Sequence, residues 1–192
     1  MAYKYIAEEW ADREKSFVED LNRQRMIQWR KQPVTLRIEH PTRLDKARKL
    51  GFKAKQGFVV ARTRVRRGGL RKLRPRSGRR PKRMGVAKFK PGKSIRLIAE
   101  ERTAKHFPNM EVLNSYFVGK DGMHYWYEVI MADKENPNVL ADKNTKWIAS
   151  PANRRRVFRG LTSAARRRRG LNTKGVGSEK IRPSLRAHNR TK

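Results

Sequence analysis

The segment 87–94, with the sequence AKFKPGKS, has the spacing of a phosphate-binding loop. Ala87 stands where that motif has its first glycine, and the segment ends in the required Gly-Lys-Ser. In such loops, backbone N–H groups surround nucleotide phosphates, and a hydroxyl together with a distant aspartate holds Mg²⁺. Asp133, at the end of the apolar run EVIMAD, is the candidate for that aspartate. Taken alone, the motif would indicate nucleotide hydrolysis.

The surroundings of this segment argue against that chemistry. A phosphate-binding loop follows a buried strand, but the stretch before this one reads RRPKRMGV. Pro91 lacks an N–H group where the loop needs donors. Asp133 also lies on a segment expected to pair antiparallel, whereas phosphate-loop folds have parallel strands. We therefore interpret Ser94 as the N-cap of a helix. A nucleotide-dependent RNA enzyme remains an alternative.

Other residue types that could perform catalysis show no useful spacing. The four histidines have no metal-ligand pattern, and the absence of cysteine excludes disulfides and thiolate metal sites. Neighbouring acids such as Glu100 and Glu101 point in different directions on a helix, so we expect them to be solvated or paired with Lys or Arg. The sequence therefore predicts no catalytic residue, no metal site and no cofactor.

The distribution of charge is the stronger signal. The 192 residues have a formal net charge of +33. Residues 46–99 contain twenty-one basic residues and no acidic one, and residues 143–192 contain sixteen basic residues and one acidic one. A merely soluble protein intersperses the two signs. Self-repulsion on this scale indicates a polyanionic partner.

Membrane and secretory roles are not indicated. No apolar run approaches the roughly 18–20 residues that span a bilayer, and the N-terminal stretch has acids where a secretory signal would be basic and then apolar. The sequence predicts a cytoplasmic protein with no membrane partner and no small-molecule substrate.

The elements that carry these charges form a small body. Hydrophobic periodicity and turn residues predict a helix over 3–31 with a break near 12–15, a strand over 34–39, a helix over 40–51, a strand over 57–66, a helix over 94–107 and a hairpin over 111–133. This strand-helix-strand-helix-strand-strand order predicts an α+β fold, a two-layer sandwich with a small antiparallel-type sheet, a helical N-terminus and long basic extensions. The expected division is 1–33, a core domain over 34–133 containing an extended basic loop at 67–93, and a basic C-terminal extension over 134–192.

Three local patterns refine this prediction. Thr42 and Asp45 have capping-box spacing at the start of the second helix, and Gly51 suits its left-handed end. The strand 57–66 alternates an apolar face with a face that becomes a ladder of arginines. In the helix 94–107, we expect a stripe formed by Ile95, Ile98 and Ala99 to face the core.

The chemistry of the basic residues favours folded RNA. Guanidinium groups bind two phosphate oxygens at once and stack on bases. A long irregular basic loop beside a small body can enter gaps between RNA helices, whereas regular grooves of duplex DNA are better met by helices or ribbons. General compaction of DNA or RNA remains an alternative. The five hairpin aromatics are more typical of a core than of base stacking, which stays open.

Several stretches resemble one known family. PTRLDKARKLGFKAKQG (41–57), RVRRGG (64–69), AEERTAKHFPNMEVLNSYFVGKDG (99–122) and FRGLTSA (158–164) are similar to large-ribosomal-subunit protein fifteen of the archaeal–eukaryotic type, which is distinct from its bacterial namesake. The match runs in order from about residue 3 to residue 171. The stretch 66–85, which lacks histidine and aromatic residues, resembles the archaeal branch.

This resemblance implies a structural constituent of the large ribosomal subunit with no catalytic activity, embedded in ribosomal RNA and next to other large-subunit proteins. The motif positions that it assigns to RNA are Arg43, Lys46, Lys53, Lys55, Arg64, Arg66 and Arg67. Charge alone assigns a second set to RNA: Arg62, Arg71, Lys72, Arg74, Arg76, Arg79, Arg80, Lys82, Arg83, Lys88, Arg154, Arg155, Arg156, Arg159, Arg166, Arg167, Arg168 and Arg169.

Overall fold

The structure, a computed structural model, describes residues 2–11, 16–86 and 91–172. Two helices after residue 133 were not predicted; up to that residue, the elements follow the predicted order. The described elements are the helices α1 (Ala2–Ala11), α2 (Val18–Lys31), α3 (Leu44–Lys49), α4 (Ile95–His106), α5 (Pro137–Ala141) and α6 (Ser163–Arg168), the strands β1 (Thr35–Ile38), β2 (Phe58–Arg66), β3 (Met110–Lys120) and β4 (His124–Asp133), and the 3-10 turns Pro81–Arg83, Lys146–Ala149 and Pro151–Asn153.

The four strands form an antiparallel sheet in the order β1-β2-β4-β3. The longest pairing joins β2 to β4, with Ala61 opposite Val129. The predicted hairpin is present as β3 and β4, and the Asp121 carboxylate closes its turn by accepting the backbone N–H groups of Met123 and His124 at 2.7 and 2.5 Å. The predicted α+β fold with an antiparallel sheet is confirmed.

One face of the sheet is covered by α4 and α6. The alternation of β2 places Val59 and Ala61 on this face, where they pack with Val129 of β4. Leu97 of α4 and Ala165 of α6 belong to the same buried cluster. The C-terminal helix is therefore part of the folded body.

The opposite face holds a second buried cluster. Phe58 and Val60 of β2 contribute to it, together with Trp126 and Ile130 of β4. Trp29 of α2 packs its ring against that of Trp126, with centroids 6.0 Å apart. The sheet consequently buries apolar side chains on both faces, and Trp29 of α2 and Ala47 of α3 belong to the cluster on the second one.

The C-terminal half contributes to both clusters. Val139 and Ile148 pack with the Trp29 side, and Val157 and Ala164 pack with the α4 side. The division of the chain at residue 134 stays a prediction from sequence, but buried side chains lie on both sides of it.

Of the two predictions for the ends of α3, the one for the C-terminal end is confirmed and the one for the N-terminal end is wrong. Gly51 has φ +100°, which confirms the predicted left-handed end. The capping box was wrong: the N-cap is Arg43, whose side chain makes no cap hydrogen bond. Thr42 instead donates its hydroxyl and its backbone N–H to Glu128 of β4. The physical reason is that a fully buried carboxylate needs donors more than a half-buried helix end does.

The start of α4 is confirmed, and its predicted buried stripe was partly wrong. Ser94 accepts the Leu97 N–H at 3.2 Å as an N-cap. The buried positions include Leu97, Ala99 and Thr103, whereas Ile95 and Ile98 are only half-buried. The first turn of α4 borders an open groove, so those two side chains remain partly exposed.

Candidate nucleic-acid interface

The basic arm, defined as described residues 67–86, leaves the sheet at the end of β2. Apart from the turn Pro81–Arg83, it contains no helix or strand. Leu73 is 95% exposed, and Leu70 and Val86 are exposed as well. Arg67 anchors the start of the arm, where its backbone N–H donates to the Met123 carbonyl at 2.8 Å. The predicted lack of a core within these residues is confirmed.

Most cations assigned to RNA are exposed and have no side-chain partner among the described residues. This group lies along the arm, on α3, on the C-terminal turns and on α6. Its members are Lys46, Lys55, Arg66, Arg71, Arg76, Arg79, Arg80, Lys82, Arg83, Arg154, Arg155, Arg166, Arg167 and Arg168. Unpaired guanidinium and ammonium groups on one protein are the electrostatic signature of a phosphate-binding surface.

Two of the three arginines in the predicted ladder on β2 contact other parts of the protein. The guanidinium of Arg62 stacks 4.2 Å from the centroid of the Trp29 ring and donates to Gln32 Oε1 at 2.7 Å. Arg64 donates to the backbone carbonyls of Trp29 and Arg30. Burial lowers the pKa of Arg62, partly offset by Glu128. These two side chains hold α2 against the sheet, and Arg66 is the exposed member of the ladder.

Two motif cations are engaged in ion pairs. Arg43 Nη2 lies 3.0 Å from Asp45 Oδ2, and its guanidinium stacks 4.5 Å from the Trp10 ring centroid. Lys53 donates to Asp142, and this hydrogen bond lowers the pKa of that carboxyl. Their charges are thereby partly compensated within the protein.

Three further cations that the sequence assigns to RNA lie in the basic arm and contact other residues of the protein. Arg67 donates to the Asp121 carbonyl at 2.6 Å and stacks over Tyr125 at 5.2 Å. Arg74 donates to the Met84 carbonyl at 3.4 Å. Lys72 also has an intramolecular interaction. Lys88 lies outside the described residues.

Arg156 is a buried structural residue with 8% of its surface exposed. Its guanidinium donates to the carbonyls of Val112 and Leu113 and stacks 4.8 Å from the Trp147 ring centroid. Burial lowers its pKa, while Glu100 and other acids oppose that shift. Arg156 therefore ties the C-terminal segment to β3, and our proposed interface does not use it.

Arg159 and Arg169 stabilise the turns that carry their neighbours. Arg159 donates to the carbonyls of Ala152 and Arg154, and Arg169 donates to the Gly160 carbonyl at 3.4 Å. They organise the basic C-terminal surface, on which Arg166, Arg167 and Arg168 are exposed.

The acidic residues of the segment 100–142 all have intramolecular partners. Glu111 accepts the Arg155 N–H at 2.7 Å, Glu101 accepts from Lys93 at 2.8 Å, and Glu135 pairs with Lys134 at 3.5 Å. Each of the remaining acids accepts a hydrogen bond from a side chain or a backbone N–H group. They are Glu100, Asp121, Glu128, Asp133 and Asp142. This segment supplies the internal counter-charges of the fold.

Glu128 is fully buried in the centre of β4. Its carboxylate accepts the Tyr116 hydroxyl, the Thr42 hydroxyl and the Thr42 backbone N–H. Burial raises the pKa of Glu128, and the hydrogen bonds oppose that shift. Burial and the neighbouring carboxylate raise the pKa of the Tyr116 hydroxyl. The cluster joins the α3 loop to the centre of the sheet.

Glu100 is the second fully buried acid. Of its two expected states, pairing with Lys or Arg is present in the ion pair with Arg96, whereas solvation is not. It accepts hydroxyl hydrogen bonds from Ser115 of β3 and from Thr162, the N-cap of α6. Arg96 Nε lies 3.8 Å from its carboxylate. Burial raises the pKa of Glu100, while these partners oppose the shift. The carboxylate connects α4 both to the neighbouring strand β3 and to the distant helix α6.

The described residues of the segment 87–94, which has phosphate-loop spacing, form and stabilise the start of α4. Ser94 caps α4, and Lys93 pairs with Glu101. Asp133 ends an antiparallel strand, and its Oδ1 accepts the Glu135 N–H at 3.1 Å. Ala87 lies outside the described residues, as do 88–90. The capped-helix interpretation is confirmed.

The hairpin aromatics divide between core and surface. Tyr116 and Trp126 are buried. Phe117, Tyr125 and Tyr127 pack against one another with centroid separations of 5.8–6.4 Å, edge-to-face where Phe117 is one of the pair, and Phe117 is 36% exposed. The core role that the sequence favoured is thus confirmed for two of the five aromatics, and the other three form a partly exposed cluster.

The burial of Glu100 and Glu128 was not predicted, although the sequence contains a signal for the burial of Glu128. In the run YWYEVIMA, the period of a strand puts Glu128 on the same face as Trp126 and Ile130, both core residues. No comparable signal marks Glu100 or Arg156, because their partners come from remote segments.

Two further observations concern membranes and metals. Across residues 2–11, 16–86 and 91–172, no helix has the length and apolar character needed to cross a bilayer. In the same residues, no three His, Cys, Asp or Glu side chains group as metal ligands would.

Comparison with models of protein families gave a match over nearly the whole chain. The family described as Ribosomal L15, in its L15e form, matches residues 1–188. The matched range includes the sheet, the basic arm and α6. Members of this family are structural proteins of the large ribosomal subunit. The chain, with its antiparallel α+β body and exposed cationic surface, therefore belongs to the Ribosomal L15 (L15e) family.

Proposed function

We propose that this ribosomal protein binds and stabilises folded large-subunit ribosomal RNA through arginine–phosphate and lysine–phosphate contacts, without catalysis. The observation that carries the proposal is the set of exposed cations on the basic arm and α6 that lack protein partners among the described residues. Such groups gain most by pairing with phosphates and releasing counterions.

The proposed mechanism is assembly by neutralisation. The folded body docks first, and the basic arm becomes ordered as it follows RNA. Ordering costs about 1–2 kcal/mol of backbone entropy per residue, so many phosphate contacts are needed to offset it. We include neighbouring large-subunit proteins as partners and place the protein in the cytoplasmic ribosome. The composition of 66–85 supports the archaeal branch.

A salt titration of RNA binding tests the proposal. The full chain is titrated with large-subunit ribosomal RNA between 50 and about 500 mM KCl, and the slope of log K against log[KCl] is measured. Replacing Arg79, Arg80 and Arg83 by Gln is expected to reduce the magnitude of the slope by about 2–3, since each phosphate contact contributes about 0.7–0.9. The matched control replaces the same residues by Lys, which keeps the charge and should keep the slope.

Competition separates this function from its alternative. With structured ribosomal RNA bound, an equal nucleotide concentration of duplex DNA should displace little protein. Equal displacement by both would identify a general polyanion-compacting protein. An unchanged slope in the Gln variant would mean that the arm does not contact phosphates.

A further inference from the structure

A groove of about 750 Å³ lies at the base of the basic arm. One wall is the chain leaving β2 at Arg66, and the other is the chain returning at Pro91. Helix α6 closes the groove with Arg167 and Arg168. Its volume falls in the range of about 300–1,000 Å³ typical of sites for small ligands.

The floor of this groove is apolar. Ile95 and Ile98 occupy positions i and i+3 of α4, so they lie on one side of the helix. Both are half-buried and line the groove, next to the buried side chains of Val65 and Ala164. Two branched aliphatic residues are thus left partly exposed beside the most basic part of the chain.

The rim of the groove is cationic, and no acidic side chain of residues 2–11, 16–86 and 91–172 lines it. Lys93 is paired with Glu101, and Arg96 is bound by Ser115 and Asn114. The cations that remain available are the exposed side chains of Arg66, Arg167 and Arg168, which have no side-chain partner among the described residues.

Gly92 leaves room for one of these cations. It has φ +60°, and a Cβ there would come within 2.6 Å of Arg168 Nη2. The guanidinium of Arg168 therefore lies directly against the returning chain, where a larger residue would displace it.

An apolar floor with a guanidinium rim suits a ligand that has both a flat apolar face and a phosphate. We propose that this groove binds a single unstacked nucleotide of the ribosomal RNA, with its base on Ile95 and Ile98 and its phosphate on the rim arginines. The inference rests on the proposed RNA binding and adds a base contact to it. The backbone of a duplex offers only phosphate and sugar to such a groove, and its stacked bases could not reach the floor.

Methyl NMR of the full chain tests this proposal with defined probes. The isoleucine methyl resonances are followed while a uridine RNA hexamer is added, then an abasic hexamer with the same phosphates, then an RNA duplex. We expect ring-current shifts of the Ile95 and Ile98 methyls with the uridine hexamer and not with the abasic one. Substitution of each residue by Val assigns the two resonances.

The affinity comparison uses a matched pair of arginines on α6. Arg168→Gln should weaken binding of the uridine hexamer about fivefold more than Arg166→Gln, because Arg166 is equally exposed but does not line the groove. Equal losses in the two variants would overturn the rim assignment.

The outcomes separate the base contact from RNA binding as a whole. If the hexamers bind but the two methyls do not move, or move equally with the abasic strand, the nucleotide site is refuted while the proposed function stands. If no RNA binds at low salt, both fail. Methyl shifts caused by an acidic apolar peptide, but not by RNA, would reassign the groove to a protein partner.

Discussion

The hydroxyl of Thr162 donates a hydrogen bond of 2.7 Å to the carboxylate of Glu100, although the two residues are 62 positions apart. Thr162 is also the N-cap of α6, and its Oγ1 accepts the Ala165 N–H at 3.4 Å. One hydroxyl thus connects α4 to the helix that carries the exposed C-terminal arginines. The position of that cationic surface depends on a buried acid.

Glu100→Ala should therefore destabilise the protein strongly. The substitution leaves the hydroxyls of Ser115 and Thr162 without their acceptor and removes the carboxylate that pairs with Arg96. We therefore expect the free energy of unfolding to fall by about 3 kcal/mol. Urea unfolding measures this change. Glu101→Ala on the same helix, which removes a partly exposed ion pair, should cost less than about 1 kcal/mol. Equal losses would show that the buried network is unimportant.

The raised pKa of Glu128 predicts a pH dependence of stability. As the pH rises above the ordinary Glu value of about 4.3, the unfolded chain loses this proton while the folded protein retains it. Stability should therefore decrease with rising pH until the pKa of the folded state is passed. Urea unfolding between pH 4 and about 8, at constant salt, should show a smaller decrease in Glu128→Gln than in the unmodified protein.

Glu135→Gln is the control for that series, since its carboxyl is exposed. It should follow the unmodified protein across the whole range. If Glu128→Gln showed the same decrease as the unmodified protein, the buried carboxyl would not be the source of the pH dependence.

Arg62 and Arg79 should separate packing from RNA binding. Arg62→Ala removes the stack on Trp29 and the hydrogen bond to Gln32, so it should reduce stability by about 1–3 kcal/mol and leave the salt slope of RNA binding unchanged. Arg79→Ala should leave stability within about 0.5 kcal/mol and reduce the slope by about 0.7–0.9. The reverse pattern would place RNA on β2.

Gly57 is expected to tolerate no side chain. It has φ +89°, and a Cβ would lie 2.8 Å from Asn136 Cγ and 2.9 Å from Val139 Cγ2. Gly57→Ala should destabilise the protein by about 2–4 kcal/mol, because it combines backbone strain with overpacking against α5. Gly122→Ala, which meets nothing within 4 Å, should be nearly neutral. Thermal unfolding of the two variants compares them directly.

Local signals predicted much of the fold. The N-cap Ser94, the left-handed Gly51 and the alternation of 57–66 each depend on neighbours within a few residues, so the sequence could indicate them. The antiparallel sheet followed from the order of these elements and from the need to cover strands.

The contacts that were not predicted join distant segments. Thr42 was expected to cap a helix, but it is bound by Glu128, 86 positions away. In the sequence, Arg62 and Arg156 cannot be distinguished from the exposed arginines of the basic segments. Only the packing of Arg62 against α2 and of Arg156 against β3 shows that these two side chains are structural. A charge pattern identifies a cationic surface, and the structure shows which of its described members have no side-chain partner within the described residues.

The basic arm contains no carboxylate, and the surrounding stretch 46–99 contains no histidine. Arginine does not release its proton at any pH that a cell reaches. The arginines of the arm therefore keep a constant charge through acid stress or alkaline shifts, while a rise in ionic strength would weaken the proposed contacts with phosphate. Under the proposed RNA binding, the ion content of the surroundings, and not acidity, would govern how firmly the arm is held.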